Sequence, residues 1–215
     1  MLPAQKCLKG RKHPISDAPP KEAKHFILNT KLYPPFPEHL QMISIGMGCF
    51  WCSENLFWDL EGVYSTHVGY QMGCTPNPSY REVCTKKTNH NEVTRIVFDP
   101  RLCPLTKILK IFFETHDPTQ KLGQGNDRGT QYRSGIYYYD EGHKPVIEAS
   151  VKTYQEALSK KNFGRIQTEI LPAETFYYAE DYHQQYDAKP GNREYCGLRP
   201  TGVVMPKKLY PFSEA

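Results

Sequence analysis

The sequence has no long apolar run, and this absence argues against a membrane-spanning or secreted protein. No stretch approaches the ~18 consecutive apolar residues of a membrane-spanning helix. The first 20 residues also lack the apolar centre of a secretory signal peptide. We therefore expect a soluble protein that stays in the cytoplasm and does not contact a membrane.

Concentrated charge and internal repeats are missing as well. The 27 basic and 23 acidic residues are scattered along the sequence, and the net charge is +4. A nucleic-acid-binding protein uses a dense basic stripe, so nucleic acid is not an expected partner. With 215 residues, of which 39% are hydrophobic, the chain can bury the core of one full domain.

Cysteine is present in an odd number. Seven cysteines without a signal peptide argue against a framework of structural disulfides and for reduced thiols. Cys7 lies in a polar leader and Cys103 lies beside a proline, while Cys74 and Cys84 have no special context. We interpret these four as ordinary buried or surface thiols.

The most informative cysteine is Cys49, which follows the apolar run of residues 42–47. The pattern predicts a strand that turns into a helix at this point. Because a helix N-terminus favours negative charge, the pKa of Cys49 is expected to fall below the usual value of about 8.5 and to make it a nucleophilic thiolate. The adjacent Phe50 and Trp51 can form the walls of an apolar pocket.

Hydrophobic periodicity predicts alternating strands and helices. The predicted strands are 41–47, 63–70, 92–98, 136–139 and 166–171, and the predicted helices are 53–60, 79–85, 105–115, 144–159 and 178–187. This alternation indicates an α/β or α+β domain in residues 38–190, with helices covering a mixed sheet. Residues 1–37 are predicted to be an extended segment lying over or away from the domain, and residues 191–215 a flexible arm.

Seven blocks of residues resemble the peptide-methionine (S)-S-oxide reductases, the A-type methionine sulfoxide reductase family. The blocks are GMGCFW at 46–51, GVYST at 62–66, NPSYREVC at 77–84, HNEV at 90–93, HDPT at 116–119, GNDRGTQYRS at 125–134 and YYAEDYHQQY at 177–186. The resemblance covers residues from about 35 to 201. It implies a two-layer sandwich with a ferredoxin-like βαββαβ core, long irregular segments at both ends, and a monomer.

The chemistry of a sulfoxide explains why such residues would converge. A thiolate can attack the sulfur atom only if an acid protonates or strongly hydrogen-bonds the oxygen atom. In the resemblance, Cys49 is the nucleophile and Glu92 is the acid. Burial would have to raise the pKa of Glu92 well above its usual value near 4.3.

The resemblance implies roles at the site for five further residues. Tyr80 and Tyr132 would donate hydrogen bonds to the sulfoxide oxygen, because phenols donate without ionising at neutral pH. Asp127 would order a water molecule or the tyrosines. Phe50 and Trp51 would hold the S-methyl group, since sulfur makes favourable contacts with aromatic rings.

Reduction of the sulfoxide would leave Cys49 as a sulfenic acid, which condenses with a second thiol to a disulfide. Cys196 occupies the family's resolving position, and thioredoxin would reopen the disulfide. The resemblance thus implies oxidised proteins and free methionine S-sulfoxide as substrates, thioredoxin as a partner, and no cofactor or metal. The family's frequent second C-terminal cysteine is missing, because Thr201 and Gly202 are followed by valines and Met205.

Cys52 departs from the family pattern and creates a C-x-x-C motif with Cys49. This motif also suits a thioredoxin-like dithiol oxidoreductase, or half of a structural zinc site. We favour the reductase, with Cys52 turned into the helix packing as a spectator and Cys196 as the resolving thiol. His183 fits either a satisfied core histidine, which we favour, or a residue that orients a catalytic group.

Overall fold

The computed structural model describes residues 1–193 and 195–207, and its centre is a six-stranded mixed sheet. The strands are β1 (Gln41–Met47), β2 (Val63–Gln71), β3 (Asn91–Phe98), β4 (Gly123–Gln124), β5 (Asp127–Arg128), β6 (Ser134–Tyr138), β7 (Glu169–Pro172) and β8 (Tyr177–Tyr178). The α-helices are α1 (Phe50–Asn55), α2 (Tyr80–Cys84), α3 (Leu105–Thr115) and α4 (His143–Ser159). The order in the large sheet is β7-β6-β1-β3-β2-β8, and β4 pairs only with β5.

The connections of the central strands confirm the predicted fold class. Strand β1 pairs antiparallel with β3 and with β6, β2 pairs antiparallel with β3, and β7 is parallel to β6. Along the chain, β1, α1, β2, β3, α3 and β6 therefore form a ferredoxin-like βαββαβ core in a mixed α/β fold. Within the described residues, no helix is both long enough and apolar enough to cross a membrane.

One face of the sheet forms the main core with the helices. Ile43, Ile45 and Met47 alternate along β1 toward this face, where they pack with Phe112 of α3 and Tyr154 of α4. All five side chains are fully buried. Burial of each aliphatic or phenylalanine side chain contributes about 1.5–3 kcal/mol, so this layer holds α3 and α4 on the sheet.

The opposite face of the sheet is polar and is covered by irregular segments. Arg95 of β3 is buried there, and its Nε donates a hydrogen bond to Nδ1 of His67 at 3.2 Å. Its guanidinium carbon lies 4.1 Å from the centre of the Phe176 ring. The Tyr178 hydroxyl donates to the carbonyl of Leu32 at 2.5 Å, so residues from the N-terminal segment lie over this face.

Helix α1 begins earlier than its sequence pattern predicts. The expected helix of residues 53–60 was based on Leu56, Phe57 and Leu60, whereas α1 spans Phe50–Asn55. The chain turns directly after β1, so the first helical residues follow Cys49 at once. The apolar residues after Asn55 lie in turns, in which the Phe57 amide donates to the carbonyl of Glu54 at 3.0 Å.

The predicted helix of residues 178–187 is wrong. Tyr177–Tyr178 is strand β8, and two 3₁₀ turns follow at Asp181–His183 and Tyr186–Ala188, with Gln185 between them in the left-handed region at φ 47°. The polar side chains of this segment form hydrogen bonds with distant parts of the chain. An amphipathic helix would instead direct these side chains toward solvent. Strand β7 is also shorter and later than predicted, at Glu169–Pro172.

The expectation that all the cysteines outside the motif are free thiols is wrong for two of them. Cys7 and Cys74 form a disulfide with a Cα–Cα distance of 6.2 Å. The amide of Leu8 donates to the carbonyl of Lys87 at 2.9 Å, next to this bond. The disulfide thus attaches the start of the chain to the loop between β2 and α2.

The C-terminal arm contacts the domain over most of its described length. Leu198, Val203 and Met205 are buried in the main core, and the Tyr154 hydroxyl of α4 donates to the carbonyl of Val203 at 2.9 Å. This packing differs from the free segment that the composition of the arm predicts. Residue 194 and residues 208–215, which belong to the predicted arm, lie outside the described residues.

Candidate functional site

Seven of the eight predicted site residues line one cavity. Its volume is about 210 Å³, and its walls are formed by Cys49, Phe50, Trp51, Tyr80, Glu92, Asp127, Tyr132 and Tyr195. These residues come from α1, α2, β3, β5, a 3₁₀ turn and the C-terminal arm. Tyr195 is the member that sequence reasoning missed, although it directly precedes the predicted Cys196.

A sharp turn between β1 and α1 places Cys49 at the cavity. Gly48 has φ +102°, a conformation that residues with a Cβ rarely adopt, and a Cβ there would lie 2.8 Å from Cβ of Gln124. Glycine is therefore required by both the turn and the close packing. Cys49 occupies the N-cap position of α1, and its exposed fraction is 7%.

Glu92 is a buried acid beneath the start of α1. Its Oε2 accepts a hydrogen bond from the amide of Phe50 at 3.3 Å, and its Oε1 has no hydrogen-bond partner within the described part of the chain. Burial raises the pKa of Glu92 to about 8, and the nearby carboxyl of Asp127 adds to the increase. At neutral pH the group is mostly a protonated acid that can donate to a ligand in the cavity.

Two phenols face the same cavity. Burial raises the pKa values of Tyr80 and Tyr132, and the charge of Glu92 raises both further. Both side chains therefore stay protonated donors at neutral pH. The Tyr80 hydroxyl is hydrogen-bonded to the Cys84 thiol, which places Cys84 beside the site rather than in an unrelated surface position.

A hydrogen bond between the two thiols of the C-x-x-C motif shifts their pKa values in opposite directions, which the sequence did not predict. The Cys49 thiol donates a hydrogen bond to Cys52, which raises the pKa of Cys49, and burial and the charge of Glu92 raise it further. The same hydrogen bond lowers the pKa of Cys52 to about 7. The pKa of Cys49 is therefore raised and not lowered as predicted, because the hydrogen bond to Cys52, burial and Glu92 outweigh the effect of the helix N-terminus.

Cys52 is buried in the main core, and its sulfur also contacts the C-terminal arm. Its Sγ donates to the carbonyl of Tyr195 at 3.1 Å and accepts from the amide of Gly197 at 3.3 Å. It also hydrogen-bonds with the thiol of Cys196. Cys52 is thus packed in the core, as expected, and its sulfur also contacts the arm that carries the exposed Cys196.

Asp127 forms a hydrogen bond that connects the C-terminal arm to the cavity. The Tyr195 hydroxyl donates to Oδ1 of Asp127 at 2.7 Å, whereas Oδ2 has no hydrogen-bond partner among residues 1–193 and 195–207. A Cβ at Gly197 would lie 2.3 Å from that Oδ2, so glycine permits this close approach. Asp127 orders Tyr195, a different tyrosine from the two expected.

The motif at residues 177–186 holds the indole of Trp51 in place. Trp51 Nε1 donates to Nδ1 of His183 at 2.9 Å, and the indole stacks on Tyr186 with centroids 3.9 Å apart at 11°. Burial lowers the pKa of His183 to about 3, so the imidazole is neutral and can accept. His183 thus orients Trp51, the role that we did not favour from the sequence.

Two buried carboxyl groups support the cavity walls, and sequence reasoning missed both. Glu54 accepts from the amide and the side chain of Gln185 at 2.7 and 2.8 Å and from the Thr66 hydroxyl at 2.9 Å. Glu180 accepts from the amide of Tyr80 at 2.8 Å. The sequence signals were their positions: Glu54 lies three residues after the GMGCFW block, and Glu180 lies inside the YYAEDYHQQY block.

We predict that Glu54→Gln destabilises the protein. Burial raises the pKa of Glu54 to about 7, so at pH 8 the carboxylate accepts all three hydrogen bonds. A glutamine amide would place donors against the donors of Gln185, which costs about 1–3 kcal/mol and lowers Tm by about 2–10 °C in a domain of this size. Thermal unfolding at pH 8 measures the change.

The matched control is Glu148→Gln, which removes an exposed acid on α4. It should leave Tm within about 1 °C, because exposed substitutions rarely change stability by more than ~0.5 kcal/mol. Equal Tm values for the two variants would show that the contacts of Glu54 do not support the fold.

A metal centre has no donor set in the described residues. No group of three or more His, Cys, Asp or Glu side chains in residues 1–193 and 195–207 could hold a metal ion.

Known proteins share both the sequence and the fold of this chain. The family model described as peptide methionine sulfoxide reductase matches residues 41–208. Peptide methionine sulfoxide reductase MsrA of Rippkaea orientalis is 54% identical over 189 residues, which are 88% of this chain and 87% of that protein. The mitochondrial peptide methionine sulfoxide reductase of Bos taurus is 51% identical over 202 residues, or 94% of this chain and 84% of that protein.

Solved structures agree with these sequence matches. Methionine sulfoxide reductase A of Corynebacterium diphtheriae superimposes with a TM-score of 0.79 and 38% identity, covering 92% of this chain and 98% of that one. Mxr1 of Saccharomyces cerevisiae in its reduced form gives a TM-score of 0.68 and 31% identity, covering 80% and 98%. The chain therefore belongs to the peptide methionine sulfoxide reductase family and is a thiol-dependent oxidoreductase.

Proposed function

We propose that this enzyme reduces the S-epimer of methionine sulfoxide, in proteins and as the free amino acid, with Cys49 as the nucleophile. The observation that carries the proposal is the convergence of Cys49, the protonated acid Glu92 and the phenols Tyr80 and Tyr132 in one small cavity. Phe50 and Trp51 supply an aromatic wall for the S-methyl group. This set meets the demand of a sulfoxide for a nucleophile and an acid together.

The reaction transfers one oxygen atom. As Cys49 passes its proton to Cys52, its sulfur attacks the sulfoxide sulfur, while Glu92 donates a proton to the oxygen held by Tyr80 and Tyr132. The attack forms a bond between the two sulfur atoms. The hydroxyl then passes from the substrate sulfur to the Cys49 sulfur: the substrate S–O bond and the new S–S bond break, an O–S bond to Cys49 forms, and the products are a sulfenic acid on Cys49 and methionine. Asp127 acts through Tyr195, which it holds at the edge of the cavity.

The contacts of the three thiols support a stepwise transfer of the disulfide. Cys52 attacks the sulfenic acid, which releases water and forms the Cys49–Cys52 disulfide. Cys196 then attacks Cys52, which frees Cys49 and leaves the Cys52–Cys196 disulfide. Cys196 is therefore the resolving thiol that external reductants reach, and Cys52 is an intermediate carrier instead of the spectator expected from the sequence.

Thioredoxin is the proposed reductant, by resemblance to the family, and the exposed position of Cys196 supports attack there by an external dithiol. A cytoplasmic location, a monomeric state, the absence of a cofactor and the lack of nucleic-acid or membrane partners remain predictions. Oxidised proteins and free methionine S-sulfoxide are the proposed substrates.

The alternative function is a thioredoxin-like dithiol oxidoreductase, for which the Cys49–Cys52 pair would be sufficient. Exchange between thiols and disulfides does not require an acid with a raised pKa or phenols aimed at a bound oxygen. Glu92, Tyr80 and Tyr132 therefore favour the reductase.

We expect the purified protein to form methionine from the S-epimer of methionine sulfoxide with dithiothreitol, and not from the R-epimer. Cys49→Ser should abolish the reaction, because a hydroxyl is a poor nucleophile toward sulfur. Chromatography of the free amino acids measures the product. Cys103→Ser, which removes a buried thiol outside the cavity, is the control and should keep activity. Reduction of insulin disulfides without any methionine formation would establish the alternative function instead.

We predict a narrow bell-shaped pH profile for kcat/KM, with its maximum between about pH 7 and 8. The thiol pair must have lost one proton, and Cys52 does so with a pKa of about 7. Glu92 must stay protonated, and it loses its proton as the pH rises through about 8. Single-turnover formation of methionine across pH 6–10 measures both limbs.

The variant Glu92→Gln separates the two limbs. It should be at least ~10²-fold slower at pH 7 and should lose the decrease on the alkaline side, because glutamine does not titrate. A normal rate, or an unchanged alkaline limb, would remove Glu92 from the mechanism.

We predict that the disulfide moves from Cys49–Cys52 to Cys52–Cys196. One equivalent of S-sulfoxide, followed by rapid alkylation and peptide mass spectrometry, should give mainly the Cys52–Cys196 pair in the wild type and the Cys49–Cys52 pair in Cys196→Ser. Cys103→Ser, which lies outside the cavity, serves as the control and should match the wild type. A Cys49–Cys196 disulfide in the wild type, with full turnover of Cys52→Ser, would return Cys52 to a spectator role.

A further inference from the structure

The positive charge of this enzyme is concentrated by folding, although it is scattered in the sequence. Residues 1–16 and 72–90 hold seven of the 27 lysines and arginines and one of the 23 acidic residues, so they carry a formal charge of +6 against +4 for the whole chain. The fold places these two distant segments side by side. Folding therefore brings together basic residues that lie far apart in the sequence.

The N-terminal segment is firmly attached where it meets the second segment. The Cys7–Cys74 disulfide joins the two, and the Thr75 hydroxyl donates to the carbonyl of Leu8 at 3.0 Å. The amide of Arg11 donates to the carbonyl of Pro76, also at 3.0 Å. These bonds hold the basic residues of the N-terminal segment in place beside α2.

Together the two segments form a surface that we call the α2 basic patch. Its members are exposed side chains: Lys6, Lys9, Lys12, Arg81, Lys86 and Lys87. The single acid of the two segments, Glu82, is paired with Arg11 at 2.8 Å. None of the six patch members forms an ion pair with another described residue, so their charge is available to a ligand.

The patch borders the wall of the active-site cavity that carries the two phenols. Arg81 directly follows Tyr80, which begins α2 and lines the cavity. At the other end, Cε of Lys86 lies 3.1 Å from the position of a Cβ at Gly129, immediately before the 3₁₀ turn that carries Tyr132. A peptide leaving the cavity on this side therefore passes over the patch.

The acids nearest to the patch lie at its Arg81 end. Asp17 and Arg81 both act on the pKa of Tyr182, in opposite directions, so this end has mixed charge. At the other end, Glu82 is the single acid of the two segments and is paired with Arg11, so Lys86 and Lys87 have no ion-pair partner within the two segments.

We propose that the α2 basic patch is a binding site for acidic segments of substrate proteins, so that the enzyme prefers methionine sulfoxide residues with Asp or Glu nearby in sequence. The proposal rests on the proposed function and adds a substrate class to it. An extended peptide advances about 3.3–3.6 Å per residue, so acids three to six residues from the sulfoxide reach about 10–20 Å from the cavity, over the patch.

Electrostatic attraction of this kind acts mainly on substrate capture. Complementary charge raises the association rate by tenfold or more at low ionic strength and loses its effect as salt screens it. The Debye length falls from about 30 Å at 0.01 M salt to about 3 Å at 1 M. The preference should thus appear in KM, decrease with salt, and be absent for free methionine sulfoxide.

The test compares three synthetic peptides, each with one S-epimer methionine sulfoxide and with Glu, Ser or Lys at the third to fifth positions on both sides. With dithiothreitol and about 20 mM salt, kcat/KM for the Glu peptide should exceed that for the Ser peptide about tenfold, and the Lys peptide should be slower than the Ser peptide. At about 500 mM salt the three values should converge. Equal values at low salt would overturn the proposal.

The variant pair Lys86→Gln/Lys87→Gln locates the effect. It should reduce the Glu-to-Ser ratio of kcat/KM about threefold or more, with no change for the Ser peptide or free methionine sulfoxide. The matched control, Lys160→Gln/Lys161→Gln, removes two adjacent exposed lysines at the end of α4 and should keep the ratio. Equal loss in both double variants would mean that net charge, and not the patch, sets the preference.

Two further outcomes are distinguishable. If none of the peptides is reduced, the proposed function fails, whereas reduction of all three at equal rates refutes the patch alone. Binding of a short DNA duplex at 150 mM salt that is lost in Lys86→Gln/Lys87→Gln, with no peptide preference, would assign the patch to nucleic acid and overturn the proposal.

Discussion

Helix α1 is fixed between two buried carboxyl groups, and the cavity depends on this arrangement. Glu92 accepts a hydrogen bond from the Phe50 amide at the start of the helix, and Glu54, two residues after Cys52, accepts one from the Gln185 amide of the loop behind it. Neither carboxyl forms an ion pair with a described cation. Burial without a counter-charge raises both pKa values, to about 8 and about 7. The interactions that place α1 therefore also provide a protonated acid at neutral pH.

The distribution of charge among the thiols follows from the same burial. A thiolate at Cys49 would lie beside Glu92 in a poorly solvated cavity, and its pKa is raised accordingly. The sulfur of Cys52, in contrast, accepts a hydrogen bond from the backbone amide of Gly197 in the arm. The negative charge therefore rests one helical turn away from the sulfur that faces the substrate. The arm that brings Cys196 also stabilises the charge on Cys52, so the nucleophile and the resolving step are physically linked.

The irregular segments at both ends of the chain contribute to the domain. The N-terminal segment covers the polar face of the sheet above Arg95 and is attached by the Cys7–Cys74 disulfide. The C-terminal arm buries Leu198 and Met205 against the helices. Without these segments, Arg95 and the apolar surface of the helices would be exposed to solvent. The two segments cover these surfaces and also supply Tyr195 and the basic residues beside the cavity.

Local periodicity and contiguous motifs were sufficient to predict the family, the order of the main strands and helices, and seven of the cavity residues. Strand β1 and helix α3 match their predicted bounds, since each has a clear apolar face. Other features became apparent in the folded chain: the pKa values of the two motif thiols, the contacts of Cys52, the pairing of Cys7 with Cys74, and the reason why residues 178–187 do not form a helix. Each of these depends on burial or on a hydrogen bond between residues far apart in the chain, and a pattern of neighbouring residues does not encode such distances.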